Sequence, residues 1–306
     1  MTQVRMRLFM KNKLPKVPLI VALFIGLLLV FITNEYHNTS CNNASSNLLT
    51  TSSSAMSTIP KTTLINKDIS QCQAVRKQEF LVSMTDIHST NPYDNFSPES
   101  YDIKGPDLKG WGLRNAYDKI LNEVRPRFMV EVGSWKGLSA VYFANAMREM
   151  HGPDACLQLI CVDTWLGTTA AWESPDMEKP IKGNTLYLRN GYPSVYYQFL
   201  YNVIDQKVDD IIVPLPLPGV MGGIFLQKIG AKPDTVYIDG CHDKICVIQD
   251  LESWYPVIGV NGIIFGDDYN RSEVKEAVAH FCTPDRHCQL DQNLTDGITF
   301  VLRKIA

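Results

Sequence analysis

The sequence predicts an α/β fold in which a doubly wound, mostly parallel sheet is closed by a C-terminal antiparallel hairpin. From about residue 113 onwards, short apolar runs alternate with segments of helical periodicity, which is typical of strands joined by crossover helices. A loop containing Gly133 and Gly137 follows the first apolar run. Near the C-terminus, the pair Asp296-Gly297 separates two short strand-like runs and indicates a hairpin.

The individual elements follow from this alternation. The first helix is predicted from apolar residues at helical spacing before Pro126, namely Leu113, Tyr117, Ile120, Leu121 and Val124. Five strands are predicted at 128–132, 157–162, 211–215, 235–238 and 262–265, and the hairpin strands at 287–291 and 298–303. Further helices are predicted at 138–150, 222–229, 244–255 and 272–281. Helices should therefore cover both faces of the sheet.

The N-terminal region has the composition of a membrane anchor followed by a stem. A basic cytosolic tail is predicted at 1–16, an uncharged apolar signal-anchor at 17–33, and a flexible stem rich in Ser, Thr and Asn at 34–66. A loop-rich N-terminal cap at 67–107 then precedes the globular domain at 108–306. Because positive charge precedes the apolar run, we expect a single-pass type II membrane protein of the secretory pathway, in the Golgi or ER lumen. A cleaved signal peptide is the alternative.

Composition limits the classes of partner. The chain has 306 residues, of which 45% are hydrophobic and 20% charged, and this fits one ordinary globular domain after the N-terminal region is set aside. The net charge of -3 and the absence of a long Lys/Arg run exclude nucleic acid as the main partner.

The cysteines and glycosylation sequons agree with a secretory location. Eight cysteines permit disulfides in an oxidising compartment, and Cys282 with Cys288 is the preferred pair, whereas buried free thiols are the alternative for Cys161 and Cys246. Sequons occur at Asn38, Asn43, Asn95, Asn270 and Asn293.

Two strand ends predict a cofactor site. Glu131, Gly133 and Gly137 lie at the end of the first strand, where the glycines allow the backbone to approach a ligand. The acidic residue suits an ammonium group better than a diphosphate. Asp163 follows the second strand, in the position of a ligand for a ribose diol, or alternatively as a cap of the segment after it.

Acidic residues also follow two further strands. Asp239 ends one predicted strand, and Asp267 and Asp268 end the next, so the fold should bring the three carboxylates to one edge of the sheet. Three converging carboxylates repel one another unless a cation joins them, and oxygen ligands suit Mg²⁺ or Mn²⁺. Taken singly, each Asp is better explained as a turn or cap residue than as a metal ligand.

His242 is the candidate general base. It lies three residues beyond Asp239, and an unperturbed histidine pKa of about 6.5 suits proton transfer at neutral pH. A surface histidine, or one that only supports the metal ligands, is the alternative.

These residues together resemble a known family. The stretch from about Leu113 to Arg303 is similar to the Rossmann-like class I S-adenosylmethionine-dependent methyltransferases. Its block from Asp239 to Tyr269 resembles the metal-dependent O-methyltransferases that modify sugars in macrolide tailoring. The resemblance implies that Asp239, Asp267 and Asp268 bind the metal and that His242 is the base, where catechol-type relatives have Lys. It also implies that Glu131, Gly133 and Gly137 contact the methionine part of the cofactor and that Asp163 contacts its ribose.

The sequence therefore predicts methyl transfer from S-adenosylmethionine to a hydroxyl of a sugar or glycan, with a small phenolic acceptor as a further possibility. Two other functions stay open. A secretory glycosyltransferase also combines an anchor, a stem and acidic metal ligands, but Asp267-Asp268-Tyr269 is not an Asp-x-Asp motif. A glycan-binding protein on a methyltransferase fold would need no metal.

Overall fold

The computed structural model describes residues 84–108, 110, 112–172 and 186–306. The predicted cytosolic tail, signal-anchor and stem lie outside these residues, and the predicted cap is described only from residue 84. Among the described residues, no helix combines the length and the apolar character needed to cross a membrane.

The described residues are organised around a seven-stranded sheet. The strands are β1 (Phe128–Val132), β2 (Gln158–Val162), β3 (Ile212–Leu215), β4 (Thr235–Ile238), β5 (Ile263–Gly266), β6 (Cys288–Leu290) and β7 (Phe300–Lys304). Their order across the sheet is β3-β2-β1-β4-β5-β7-β6. The first five strands are parallel, whereas β7 is antiparallel to both β5 and β6. The prediction of a parallel sheet closed by an antiparallel hairpin is confirmed.

Six helices of nine or more residues cover the sheet in the described part of the chain. They are α1 (Ala116–Val124), α2 (Leu138–His151), α3 (Val195–Asp205), α4 (Gly219–Lys228), α5 (Lys244–Trp254) and α6 (Ser272–Phe281). Apolar residues of α1, α2 and α3 form the core on one face, and those of α4, α5 and α6 form the core on the other. The fold is therefore doubly wound, as predicted.

Burial on both faces explains the composition of the central strands. All five residues of β1 are buried, and Met129 and Val130 pack into opposite cores. A strand that is covered on both sides has to be apolar at every position instead of alternating. This makes Glu131, in the same strand, the exception that needs a functional explanation.

The sequence-based prediction misses α3. This helix contains three tyrosines, one phenylalanine and two valines in eleven residues, and it forms a buried layer against β2 and β3. Aromatic and β-branched residues favour strands as much as helices, and apolar residues on most sides hide the helical period. Tertiary packing therefore decides its conformation.

The strand register aligns four chain segments at one edge of the sheet. Val132 pairs with both Val162 and Ile238, and Ile238 pairs with Gly266. The residues that follow these strands are Gly133, Asp163, Asp239 and Asp267. The predicted cofactor and metal residues are thus brought to one edge by the parallel register itself.

Candidate active site

The turn from β1 into α2 packs directly against the end of β4. Gly133 has a φ of 91°, and a Cβ atom at this position would lie 2.3 Å from the carbonyl oxygen of Asp239. Only glycine is compatible with both the conformation and the contact. The glycine loop and the acidic residue after β4 therefore form one site.

Glu131 lies beneath this loop and is fully buried. Burial raises its pKa to about 7. The Sγ atom of Cys161 lies 3.6 Å from Oε2, whereas Oε1 accepts no hydrogen bond within the described part of the chain. A buried carboxylate oxygen without a donor is costly unless a ligand supplies one.

The site fits S-adenosylmethionine on this observation. The Oγ atom of Ser134 is also buried without a described partner, and Ser134 lines the pocket above Glu131. The ammonium group of a methionine moiety is a donor of the kind that these two atoms lack. Glu131, Ser134 and the backbone around Gly133 would hold that end of the cofactor.

Asp163 accepts hydrogen bonds from two backbone N–H groups. One of its oxygens accepts a hydrogen bond from the backbone N–H of Trp135 at 2.8 Å, and the other accepts from the N–H of Trp165 at 2.7 Å. Burial raises its pKa, and these backbone N–H groups oppose the shift. Asp163 therefore joins the glycine loop to the end of β2, which is the capping alternative. A ribose contact would have to use its remaining lone pairs.

The chain segment before α1 covers the glycine loop. Nζ of the buried Lys136 lies 2.9 Å from Oδ2 of Asp107. The side-chain amide of Asn202 in α3 accepts a hydrogen bond from the backbone N–H of Asp107 and donates one to its backbone carbonyl. This segment and the loop enclose a pocket. Its lining residues are Gly110, Gly112, Tyr117, Gly133, Ser134, Trp135, Lys136, Leu138, Ser139, Tyr237, Asp239 and Asp267.

Asp239, His242 and Asp268 come together beside this pocket. Nε2 of His242 lies 3.0 Å from Oδ2 of Asp268 and 3.7 Å from Oδ1 of Asp239. One donor atom from each of the three residues lies within 4.8 Å of the others, which is close enough for a shared metal ion. The interaction with Asp239 and the charge of Asp268 raise the pKa of His242, whereas its burial opposes the shift. Burial in turn raises the pKa of Asp239.

Asp267 is held apart from this group by an arginine. Nε of Arg114 lies 2.8 Å and 3.0 Å from the two carboxylate oxygens of Asp267, and its NH2 group lies 2.5 Å from Oδ2. Both side chains are largely buried. Of the three predicted metal-ligating carboxylates, the fold thus brings two together with His242 and pairs the third with a guanidinium.

Two tyrosines connect α1 to Asp239. The hydroxyl of Tyr237 donates to Oδ2 of Asp239 at 3.1 Å, and the hydroxyls of Tyr117 and Tyr237 are 2.5 Å apart. Burial raises the pKa of both tyrosines, so both stay protonated at neutral pH.

A disulfide brackets His242. Cys241, in the loop between β4 and α5, forms a disulfide with Cys246 in the first turn of α5. The free-thiol alternative for Cys246 is wrong, because Cys246 lies on α5 next to the loop that carries Cys241. The predicted Cys282–Cys288 disulfide is confirmed, and Cys161 is a buried free thiol as expected.

Arg114, Tyr117 and Tyr237 are the site residues that the sequence did not indicate. Arg114 is 153 residues from Asp267, and no local motif marks such a pair. Tyr117 and Tyr237 occupy apolar positions of a helix and a strand, where a core role is the ordinary interpretation. A tyrosine two residues before a candidate ligand is the one weak signal available.

Comparison with known protein families gives a match to part of the chain. Residues 130–269 match a family model described as "Methyltransferase domain". This range begins in β1 and ends directly after Asp268, so it contains the glycine loop, Asp163 and both acidic strand ends. A search of curated proteins finds no match.

Solved structures with a similar chain fold include several methyltransferases. A TDP-rhamnose 3'-O-methyltransferase of calicheamicin biosynthesis is 16% identical, with a TM-score of 0.43 and coverage of 61% of this chain and 76% of that chain. An O-methyltransferase from Bacillus cereus in complex with SAH is 10% identical, with a TM-score of 0.41 and coverage of 78% and 97%. The O-methyltransferase of tomaymycin synthesis from Streptomyces achromogenes is 11% identical, with a TM-score of 0.43 and coverage of 78% and 96%. Similarities this low say nothing about the substrate.

The family match agrees with the strand order and with the cofactor loop. Five parallel strands in the order β3-β2-β1-β4-β5, extended by an antiparallel β7 and β6, form the sheet that the resemblance implies. Residues 130–269 thus match a methyltransferase domain, in agreement with the resemblance that the sequence shows.

Proposed function

We propose that this chain transfers a methyl group from S-adenosylmethionine to a hydroxyl oxygen of a sugar or glycan, assisted by Mg²⁺ or Mn²⁺. The observation that carries the proposal is the contact between the two halves of the site. The glycine loop packs on Asp239, and Asp239 in turn lies beside His242 and Asp268. A methyl donor on the loop would therefore be next to a base and a group of metal-binding side chains.

The donor set is suited to a divalent cation. Two carboxylates offer oxygen ligands within reach of one another, and the imidazole of His242 lies beside them. Asp239 and Asp268 would hold the ion, with Asp267 available only if it exchanges its contact with Arg114. A bound cation would lower the pKa of the acceptor hydroxyl and orient its oxygen.

His242 accepts the proton in this proposal. An O–CH₃ bond forms while the S–CH₃ bond of the sulfonium breaks, and S-adenosylhomocysteine leaves without the positive charge. The hydroxyl proton passes to His242, and the neighbouring carboxylate of Asp268, 3.0 Å from Nε2, stabilises the protonated imidazole.

A sugar is the favoured acceptor because of the residue at position 242. By the resemblance described above, a histidine three residues beyond Asp239 is typical of the sugar-modifying branch, whereas the catechol-type enzymes have a lysine. A phenolic acceptor is the competing outcome, and an acceptor screen separates the two.

We also propose that the domain works in the lumen of the secretory pathway and is tethered there by the predicted anchor. Two disulfides in the described part of the chain support an oxidising compartment. Asn95 and Asn293 of the sequons are exposed, which supports access to glycosylation.

Two experiments test the function. Calorimetric titration compares S-adenosylhomocysteine with UDP and TDP, and we expect binding of S-adenosylhomocysteine alone. A radiolabelled methyl-transfer screen over sugar and phenolic acceptors then identifies the acceptor class. Binding of a nucleotide diphosphate without S-adenosylhomocysteine would contradict the proposal and favour the glycosyltransferase alternative.

A further inference from the structure

The tyrosine pair beside Asp239 has a geometry that simple packing does not require. Tyr117 and Tyr237 belong to an aromatic cluster on the α1 and α2 face of the sheet, together with Phe143 and Phe265. The two phenylalanines fill the same cluster without a hydroxyl. Packing of the aromatic rings therefore does not explain why the tyrosines carry hydroxyl groups.

These hydroxyls form a directed chain. The hydroxyl of Tyr237 donates a hydrogen bond to Oδ2 of Asp239. Its oxygen is therefore free to accept a hydrogen bond from the hydroxyl of Tyr117, and the two oxygens are 2.5 Å apart. Both tyrosines are almost completely buried, so water does not replace either partner. The chain ends on one oxygen of one carboxylate.

The two oxygens of Asp239 thereby acquire different surroundings. Oδ2 is engaged by Tyr237, whereas Oδ1 lies 3.7 Å from Nε2 of His242, on the side of Asp268. Fixing Oδ2 restricts rotation of the carboxylate and keeps Oδ1 directed at its two neighbours. In a site that is assembled from three separate side chains, such restriction lowers the ordering cost of binding an ion.

We propose that Tyr237 and Tyr117 are positioning residues for Asp239, holding its carboxylate so that Oδ1 faces the cation position that Asp239 shares with Asp268, beside His242. This inference rests on the proposed metal-assisted function. It concerns residues that line the pocket and act on the cation position through Asp239.

The test is Mn²⁺ binding measured by electron paramagnetic resonance on the full-length protein. Tyr237→Phe removes the hydrogen bond to Asp239 and keeps the ring, and we expect Mn²⁺ to bind about 10-fold more weakly. Tyr117→Phe removes only the distal link, and about a threefold loss is expected. Tyr142→Phe is the matched control, because Tyr142 packs in the same cluster but donates its hydroxyl to Asp118. Its Mn²⁺ affinity should equal that of wild type.

A double variant controls for loss of folding in Tyr237→Phe. Tyr237→Phe alone leaves Tyr117 as a buried donor without an acceptor, whereas Tyr117→Phe with Tyr237→Phe removes both partners and leaves no unpaired hydroxyl. We expect the double variant to keep the thermal unfolding midpoint close to that of wild type and to show the same loss of Mn²⁺ affinity as Tyr237→Phe. In the methyl-transfer assay kcat should fall while KM for S-adenosylmethionine is unchanged.

The outcomes separate this inference from the function on which it rests. Wild-type Mn²⁺ affinity in the folded Tyr237→Phe and double variants would overturn the positioning role and leave the proposed function intact. If wild type binds no Mn²⁺, or if Asp239→Asn binds Mn²⁺ as tightly as wild type does, the metal part of the proposed function fails. The positioning role then fails with it.

Discussion

Arg114 and Asp267 form a bidentate ion pair at the edge of the candidate active site. Nε of the arginine lies 2.8 Å from Oδ1 of the aspartate, and its NH2 group lies 2.5 Å from Oδ2. The pair joins the segment before α1 to the end of β5, and the hydrogen bonds to Asp267 raise the pKa of Arg114. The guanidinium of Arg114 compensates the negative charge of Asp267, which lies near the carboxylates of Asp239 and Asp268.

Breaking this pair should destabilise the protein and increase its response to metal. Arg114→Met leaves Asp267 buried near Asp239 without a counter-charge, and we expect the free energy of unfolding in urea to fall by about 3 kcal/mol. Added Mn²⁺ should raise the thermal unfolding midpoint more in this variant than in wild type, because Asp267 becomes available to the ion.

Arg271→Met is the control for Arg114→Met. Arg271 lies 3.4 Å from Asp268 but is more than half exposed, so its loss should change stability by less than about 1 kcal/mol. Equal stability losses in the two variants would show that the Arg114 pair has no special role.

Asp163 should be required for both stability and cofactor binding. Asp163→Ala removes the acceptor of two backbone N–H groups, each of which costs about 1 to 3 kcal/mol if it is left unpaired in the interior. The loop around Gly133 should loosen, and S-adenosylhomocysteine affinity in calorimetry should fall. Asp234→Ala is the matched control, since Asp234 accepts two backbone N–H groups at the opposite edge of the sheet. If both variants bind S-adenosylhomocysteine like wild type, Asp163 is a structural residue only.

Glu131 makes stability depend on pH in a defined window. Its pKa is about 4.5 when unfolded and about 7 in the folded protein, because burial disfavours the charged form. The folded protein therefore keeps a proton that the unfolded chain loses, and this contribution to stability is present below pH 4.5 and is lost as the pH rises to about 7. The difference amounts to about 3 kcal/mol.

Glu131→Gln should remove this dependence. Urea unfolding between pH 4.5 and 7.5, without cofactor, should show wild-type stability falling relative to the variant as the pH rises. Parallel curves for the two proteins would mean that Glu131 is not a buried acid with a raised pKa.

The two disulfides should have similar effects on stability and different effects on activity. Each closes a loop of five or six residues, for which chain entropy predicts about 2 kcal/mol of stabilisation. Replacing Cys241 and Cys246 by serine should also lower kcat, because that loop carries His242. Replacing Cys282 and Cys288 by serine should cost stability alone. A similar kcat in both double variants would show that the first disulfide does not position the base.

The sequence was sufficient for the fold and for the placement of most site residues. Parallel strands bring their carboxyl ends to one edge, so the ends of β1, β2, β4 and β5 could be predicted to meet without knowledge of any side-chain contact. The hairpin followed from the Asp296-Gly297 pair, although the strands are separated by a longer loop than a two-residue turn.

Contacts between distant segments were not accessible in the same way. Arg114 reaches Asp267 because the chain before α1 crosses the glycine loop, and that path is fixed by the buried contacts of Asp107 with Lys136 and Asn202. No spacing rule encodes such a path. The Tyr117–Tyr237 hydrogen bond depends likewise on how α1 packs on β4, which apolar periodicity locates only as a buried face.

The most direct test of the central claim is metal-dependent methyl transfer. Radiolabelled S-adenosylmethionine is incubated with sugar acceptors and wild type, with chelator, and with Asp268→Asn, and S-adenosylhomocysteine affinity is measured in parallel. We predict transfer by wild type, loss in chelator with recovery on adding Mn²⁺, and a rate about 100-fold lower in Asp268→Asn with unchanged cofactor affinity. Transfer at the full wild-type rate in the presence of chelator would contradict the account.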